Sequence, residues 1–207
     1  MALLFFLALA TASAAELPKN FLPLPLVKQT ADYDCGAASL YSVLVYWDAY
    51  NGDETGLFPL LATTPKDGTD PVHLVIGADH YGLKAGITEH MTLDDLRDAL
   101  ERGDTVILDL QAWRDGKTKK TAWKDDWDDG HYVVLLAMDE ENAFVMDPSA
   151  EGGYAWLPQT ELVERWHDFE DRHGPKVHYH HLGIIIHGNP HAAGKPHGRP
   201  GRLIRME

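Results

Sequence analysis

Cysteine is nearly absent from this 207-residue chain, because Cys35 is the only one. A single cysteine excludes an internal disulfide, so the fold depends on its hydrophobic core. The length and a hydrophobic content of 44% are sufficient for one domain with its own core. The lone thiol of Cys35 therefore becomes the first candidate for a chemical role.

Basic residues and long apolar runs are also scarce. The chain has 18 Lys and Arg against 32 Asp and Glu, a net charge of −14. This balance repels phosphate backbones and anionic membrane surfaces, which argues against a nucleic-acid partner. A membrane-spanning helix needs about 20 apolar residues, and no segment after the N-terminus offers such a run. We therefore expect no membrane anchor in the mature chain.

The two ends of the chain differ in composition from the middle. Residues 1–14 (MALLFFLALATASA) have the apolar run and the A-x-A site of a signal peptide, which predicts export to a periplasm or secretion. A buried N-terminal helix is the alternative. Residues 15–187 are expected to form one domain, and the Gly-, Pro- and His-rich residues 188–207 a loose tail.

Hydrophobic periodicity and turn residues predict four helices and four strands between these ends. The predicted helices cover 35–50, 71–81, a segment that starts at the capping residue Thr92, and 159–167. The predicted strands cover 105–110, 131–138, 143–147 and 182–187. Because helices dominate the first half and strands the second, we expect an α+β fold in which N-terminal helices pack on an antiparallel sheet.

The segment around Cys35 has features that thiol chemistry requires. Asp34 is a good N-cap, which places Cys35 in the first turn of a helix. Orphan N–H groups and the helix dipole favour a thiolate at that position. Gly36 is expected to leave room for a substrate carbonyl beside the sulfur. The side-chain amide of Gln29 and the Cys35 backbone N–H are candidate donors to one oxyanion.

A candidate base and its orienting group lie about 100 residues further along the chain. His131 follows Gly130 at the start of one predicted strand, and Asp147 ends the next. A hairpin brings these two positions to the same end of adjacent strands, where Asp147 can accept a hydrogen bond from the imidazole. The spacing therefore predicts a Cys35–His131–Asp147 triad.

Together these motifs resemble family 39 of the cysteine peptidases, the bacteriocin-processing type within the papain-like clan. The resemblance covers roughly residues 25–150 and depends on these motifs: Gln29, Asp34-Cys35-Gly36-x-Ala38, Gly130-His131-Tyr132 and Asp147-Pro148. It implies a papain-like fold, a peptide or protein substrate and no cofactor. The matching family positions are oxyanion glutamine (Gln29), nucleophile (Cys35), base (His131) and orienting aspartate (Asp147). Typical members cut after a double glycine inside a transporter, whereas this chain resembles a stand-alone, exported member.

Two other functions remain compatible with these residues. The same site can transfer an acyl group to an amine instead of water, as a transpeptidase does. Alternatively, the chain is a non-catalytic module whose cleft binds a peptide or an envelope polymer, because an enzyme fold can lose its activity and keep its cleft.

Residues 111–129 form a long loop before His131, and long loops often border functional sites. Its Trp123 and Trp127 either stack on substrate or anchor the loop. Besides the catalytic set, the residues expected to contact substrate are Asp34, Gly36, Gly130 and Trp127. The histidines of 178–181 invite a metal interpretation, but no Cys or carboxylate completes a ligand set at familiar spacing, so no metal site is expected.

Overall fold

A computed structural model of the protein describes residues 15–114, 120–150, 153–172, 174–191, 193 and 202–207. Five α-helices lie within these residues: α1 Cys35–Tyr46, α2 Phe58–Leu61, α3 Pro71–His80, α4 Leu93–Arg102 and α5 Gln159–Arg165. The strands are β1 Lys84–Thr88, β2 Thr105–Gln111, β3 Gly130–Met138, β4 Asn142–Met146, β5 Gly153–Pro158, β6 His167–Glu170, β7 Val177–His180, β8 Gly183–His187 and β9 Arg202–Arg205.

A seven-stranded sheet in the order β1-β8-β2-β3-β4-β5-β9 forms the centre of the fold. All its pairs are antiparallel except β5 with β9, and β6 and β7 form a separate two-stranded hairpin. Helices α1 and α3 cover one face of the sheet, and α4 and α5 cover the other. The structure thus confirms the α+β prediction, with N-terminal helices on a mainly antiparallel sheet.

Alternation along β3 explains why the sheet needs both layers. Val134 and Leu136 join the core under α1, whereas Val133 and Leu135 join the core under α4. Successive strand residues point to opposite faces, so a strand that is apolar at every position must be covered on both sides.

Local capping residues set the predicted helix starts. The carboxylate of Asp70 accepts from Val72 N at 2.7 Å and begins α3. Thr92 and Asp95 form a reciprocal capping box at the start of α4. Gly103, at φ 78°, ends α4 in the left-handed region that favours glycine.

Several predicted boundaries were wrong. Helix α1 ends at Tyr46 rather than near residue 50, since Asp48 adopts a positive φ of 54°. Helix α5 ends at Arg165, and His167 begins β6 instead of lying in the helix. Strands β1, β5, β6 and β7 were not predicted at all.

The tail is only partly as expected. Residues 202–205 form β9 at the edge of the main sheet, so the prediction of a loose tail is wrong for this segment. Parallel pairing with β5 and the burial of Met206 hold it in place. The proposed signal peptide, 1–14, lies outside the described residues. Within the described part of the chain, no helix is long and apolar enough to cross a membrane.

Candidate active site

Cys35 lies at the first position of α1 and lines a cleft of about 250 Å³. Its thiol is partly exposed, and Cys35 is the chain's one cysteine. The helix start therefore presents the sulfur to solvent while the next residues are buried under the sheet. This is the position that the capping pattern predicted.

Asp34 does not act as the sequence suggested. Its side chain is fully buried and makes no capping hydrogen bond to α1. Instead Oδ2 accepts from Thr30 Oγ1 at 2.5 Å and from Ala31 N at 3.0 Å. Asp34 thus folds the turn that precedes Cys35, and its burial is incompatible with the predicted substrate contact.

Gly36 is needed for packing. A Cβ at this position would lie 2.8 Å from Thr69 Cβ, closer than real Cβ contacts allow, and a tight 3.1 Å from Tyr132 Cδ2. Gly36 itself is buried. Its small size therefore lets α1 approach Tyr132 of β3, and the expectation that it leaves room for a substrate carbonyl stays a prediction.

His131 and Asp147 meet as the hairpin predicted. His131 Nε2 lies 2.8 Å from Asp147 Oδ1, and both side chains are buried. Burial lowers the pKa of His131, but the charge of Asp147 and hydrogen bonds with Asp147 and Cys35 outweigh it and raise that pKa to about 10. Because Asp147 occupies Nε2, Nδ1 is the ring nitrogen left for the thiol. The geometry brings the three predicted residues into one chain of contacts.

Asp147 is held by more donors than the sequence indicated. Its Oδ1 also accepts from Ser149 N at 2.8 Å, and its Oδ2 accepts from Trp113 Nε1 at 2.9 Å. Three donors make the buried carboxylate a rigid acceptor. Sequence reasoning missed Trp113, although its position just after the strand that pairs with β3 was a usable signal.

Gln29 is attached to the segment that carries Asp147. Its backbone N donates to Pro148 O at 3.1 Å, and its Oε1 accepts from Ser149 Oγ at 2.9 Å. Its Nε2 donates one hydrogen to Ala31 O at 2.7 Å. A primary amide carries two such hydrogens, so one N–H of Gln29 remains for another acceptor.

The two predicted loop tryptophans pack on the protein. Trp127 contacts the β6–β7 hairpin, with ring centroids 4.4 Å from His167 and 4.9 Å from His178. Trp123 lies between Arg114 and Arg165, whose guanidinium carbons are 3.2 and 3.4 Å from its centroid. The anchor interpretation therefore describes both rings, and the predicted substrate contact of Trp127 is not supported by its position.

Gly130 lines the cleft together with two acidic residues that sequence reasoning did not select, Asp109 and Asp168. Burial and the neighbouring carboxyl of Asp168 hold the pKa of Asp109 well above its ordinary value. Burial likewise raises the pKa of Asp168 to about 6. A charged residue inside the apolar strand TVILDL was the signal that could have drawn attention to Asp109.

Comparison with curated proteins finds relatives of bacterial and archaeal origin. The chain is 29% identical over 139 residues to the transport/processing ATP-binding protein ComA of Streptococcus pneumoniae, a match that covers 67% of this chain and 17% of ComA. It is 30% identical over 128 residues to an uncharacterized protein of Methanothermobacter thermautotrophicus, which covers 60% of this chain and 71% of that protein. The chain therefore spans less than a fifth of ComA.

Solved structures share the fold at low identity. The peptidase domain of Streptococcus ComA has a TM-score of 0.57 and 17% identity, covering 80% of this chain and 99% of that one. A double glycine motif protease from an AMS/PCAT transporter, in complex with the leader peptide, has a TM-score of 0.55 and 18% identity. It covers 83% of this chain and 96% of that one.

A family model settles the assignment that the motifs and the fold suggested. The model described as Peptidase C39 family matches residues 23–169, a range that contains Gln29, Cys35, His131 and Asp147. The matched range is more than half of the chain. This chain therefore belongs to the Peptidase C39 family of cysteine peptidases.

Proposed function

We propose that the chain hydrolyses a peptide bond with Cys35 as nucleophile, His131 as proton carrier and Asp147 as the group that orients His131. The observation that carries this proposal is the 2.8 Å contact between His131 Nε2 and Asp147 Oδ1, which leaves Nδ1 for the thiol. The raised pKa of His131, at about 10, favours an imidazolium beside the sulfur. Such a cation is the partner that stabilises a catalytic thiolate.

The chemistry follows from these contacts. The Cys35 sulfur attacks the carbonyl carbon of the peptide bond, and the Cys35 backbone N–H with the remaining Gln29 N–H holds the oxyanion. His131 gives its proton to the leaving amine as the C–N bond breaks, which leaves a thioester. Water then attacks the thioester, His131 takes its proton, and the carboxylic acid leaves as the Cys35–carbonyl bond breaks.

The substrate class is part of the proposal. The comparison structure of the double glycine motif protease holds a leader peptide, which supports a peptide substrate for this chain. Peptide libraries analysed by mass spectrometry are the appropriate assay. Cys35→Ala is expected to abolish cleavage without unfolding the protein, and cleavage that survives this substitution contradicts the proposal.

Alkylation of Cys35 tests the thiol–imidazole pair without any substrate. Since the chain has one cysteine, iodoacetamide labels a single site. At pH 6 we expect His131→Ala to slow alkylation by at least about tenfold, because the thiolate is the reactive species and loses its cationic partner. His80→Ala, at an exposed position in the last turn of α3, is the matched control and should stay within about twofold. Equal rates for wild type and His131→Ala contradict the pair.

Substitution of Gln29 separates oxyanion stabilisation from thiol activation. Gln29→Ala should lower kcat for a cleaved peptide by about 100-fold, the usual effect of losing one oxyanion donor. The alkylation rate of Cys35 should not change, since alkylation forms no oxyanion. Ser149→Ala removes only the contact to Gln29 Oε1 and should cost less. A Gln29→Ala enzyme with wild-type kcat would remove Gln29 from the mechanism.

A further inference from the structure

The cleft that holds Cys35 has an acidic wall. Its lining includes five carboxyl residues, and Lys66 is the one Lys or Arg among its described lining residues. Lys66 pairs at the rim with Asp67 at a distance of 2.9 Å, and its own side chain is 87% exposed. The inner part of the cleft therefore has negative charge without a basic partner from its own lining.

Asp109 and Asp168 form the inner part of this wall. Asp109, on β2, is 3% exposed, and its Oδ1 has no hydrogen-bond partner among the described residues. Asp168, on β6, uses Oδ1 to accept from Phe169 N at 2.8 Å and from Gln111 Nε2 at 3.3 Å. Burial of two neighbouring carboxyls raises both pKa values, because two negative charges side by side away from water are unfavourable.

Gly130 allows Asp168 to lie close to the catalytic strand. A Cβ on Gly130 would lie 2.1 Å from Asp168 Oδ2, so only glycine leaves room for this oxygen. Gly130 immediately precedes His131 in β3. The second oxygen of Asp168 thus lies over the start of β3, next to His131, and Asp168 lines the same cleft as Cys35.

We propose that Asp168 and Asp109 form the subsite for a cationic group of the peptide, either a lysine or arginine side chain or a free α-amino group. An ammonium or guanidinium group makes a charge-assisted hydrogen bond to Asp168 Oδ2, and the adjacent carboxyl of Asp109 carries a negative charge more readily beside that cation. No covalent step is involved. The subsite deepens the proposed function, since it selects which peptide lies across Cys35.

Charged thiol reagents test the subsite without a peptide. The reagents are three methanethiosulfonates, with a trimethylammonioethyl, a sulfonatoethyl or an uncharged methyl group, each of which Cys35 attacks with loss of methanesulfinate. In the wild-type protein at pH 7.5, the cationic reagent should label Cys35 faster than the uncharged reagent does. Asp168→Asn, which preserves shape, should reduce this preference roughly five- to tenfold.

Glu170→Gln is the matched control, because it removes the same charge from the same strand at the cleft lining. It should change the reagent preference by less than about twofold. An equal effect of both variants would show a diffuse cleft charge and overturn the subsite. Thermal melts of both variants establish that the comparison is made on folded protein.

Matched peptides then identify the cationic group. One series moves a single lysine through the positions around the cleaved bond, with norleucine in its place as the uncharged partner; a second compares free with acetylated N-termini. Asp168→Asn should raise KM about tenfold for the preferred cationic peptide and leave its uncharged partner unchanged. Cleavage without any charge preference overturns the subsite while the peptidase proposal stands. A charge preference of the reagents without cleavage of any peptide leaves the subsite standing and contradicts the peptidase proposal.

Discussion

Buried carboxyl groups lie on both sides of the start of β3, and their surroundings differ. Asp147 accepts hydrogen bonds from His131, Ser149 and Trp113, so both of its carboxylate oxygens have donors. Asp109 and Asp168 face each other, and Asp109 Oδ1 has no partner among the described residues. The same residue type thus lies among three hydrogen-bond donors in one place and beside a second carboxyl, which raises its pKa, in the other.

The difference teaches that the neighbouring groups, rather than depth of burial, decide what a buried carboxylate does. Asp147 is 1% exposed and Asp109 is 3% exposed, so exposure does not distinguish them. Donors stabilise the ionised form, whereas a second carboxyl destabilises it. Substitutions that remove or exchange these partners test the comparison directly.

The largest effect is expected from removing Asp147, because both of its carboxylate oxygens accept hydrogen bonds. Asp147→Ala should lower kcat/KM of a cleaved peptide by about 10²–10³-fold, because His131 loses the acceptor that fixes its tautomer. Asp94→Ala, which removes an exposed carboxylate on α4, is the control and should leave kcat/KM unchanged. A loss below about threefold would mean that Asp147 does not orient the base.

A smaller effect is expected from removing one donor to that anion. Trp113→Phe deletes the indole N–H that binds Asp147 Oδ2 at 2.9 Å but keeps an aromatic ring. We expect kcat to fall by about tenfold with little change in KM, since the hydrogen bond is worth about 1.5 kcal/mol when the acceptor is charged. Trp123→Phe is the control, because that ring is held between two arginines. Equal losses in both variants would indicate a general loop effect.

The remaining effect is on stability, and here substitutions of Asp147 and of Asp109 should have opposite signs. Asp147→Asn places an N–H₂ group against donors and should lower Tm, at a cost of about 1–3 kcal/mol in the free energy of unfolding. Asp109→Asn removes a carboxyl whose pKa is raised by burial and by Asp168. It should raise Tm at pH 8 by a few degrees, on the order of 1 kcal/mol.

The pH dependence of this last effect follows from the direction of the shift. In the folded protein Asp109 keeps its proton above its ordinary value of 3.8, so wild-type stability falls as pH rises from there through the raised pKa. The groups that face Asp109 are Asp168, Tyr132 and Cys35. The gain from Asp109→Asn should therefore shrink towards pH 4, and melts across pH 4–8 measure it. A gain of equal size at pH 4 and pH 8 contradicts the assignment.

Local signals made much of the fold predictable. The helix starts at Asp70 and Thr92 were predictable, because capping involves residues a few positions apart. His131 and Asp147 were brought together by one hairpin, whose geometry follows from two adjacent apolar strands. These interactions are short in sequence, or pass through a single turn.

Contacts between distant segments were not predictable in this way. Trp113 binds Asp147 across 34 residues, and Asp168 reaches Gln111 across 57. Strands β6 and β7 have no apolar alternation, because their histidines pack on Trp127. The packing role of Gly36 also depended on a distant neighbour, Thr69.

Strand β9 has a consequence for the order of events during synthesis. Trp113 N donates to Glu207 O at 2.5 Å, immediately after β9, so the backbone that carries the Asp147 donor is held by a segment more than 90 residues downstream. A ribosome releases Cys35, His131 and Asp147 well before it releases residues 202–207. During that interval the nascent chain contains Cys35, but Trp113, which donates to Asp147, lacks its backbone hydrogen bond to Glu207. The contacts around Asp147 are therefore complete only after residues 202–207 have been synthesised.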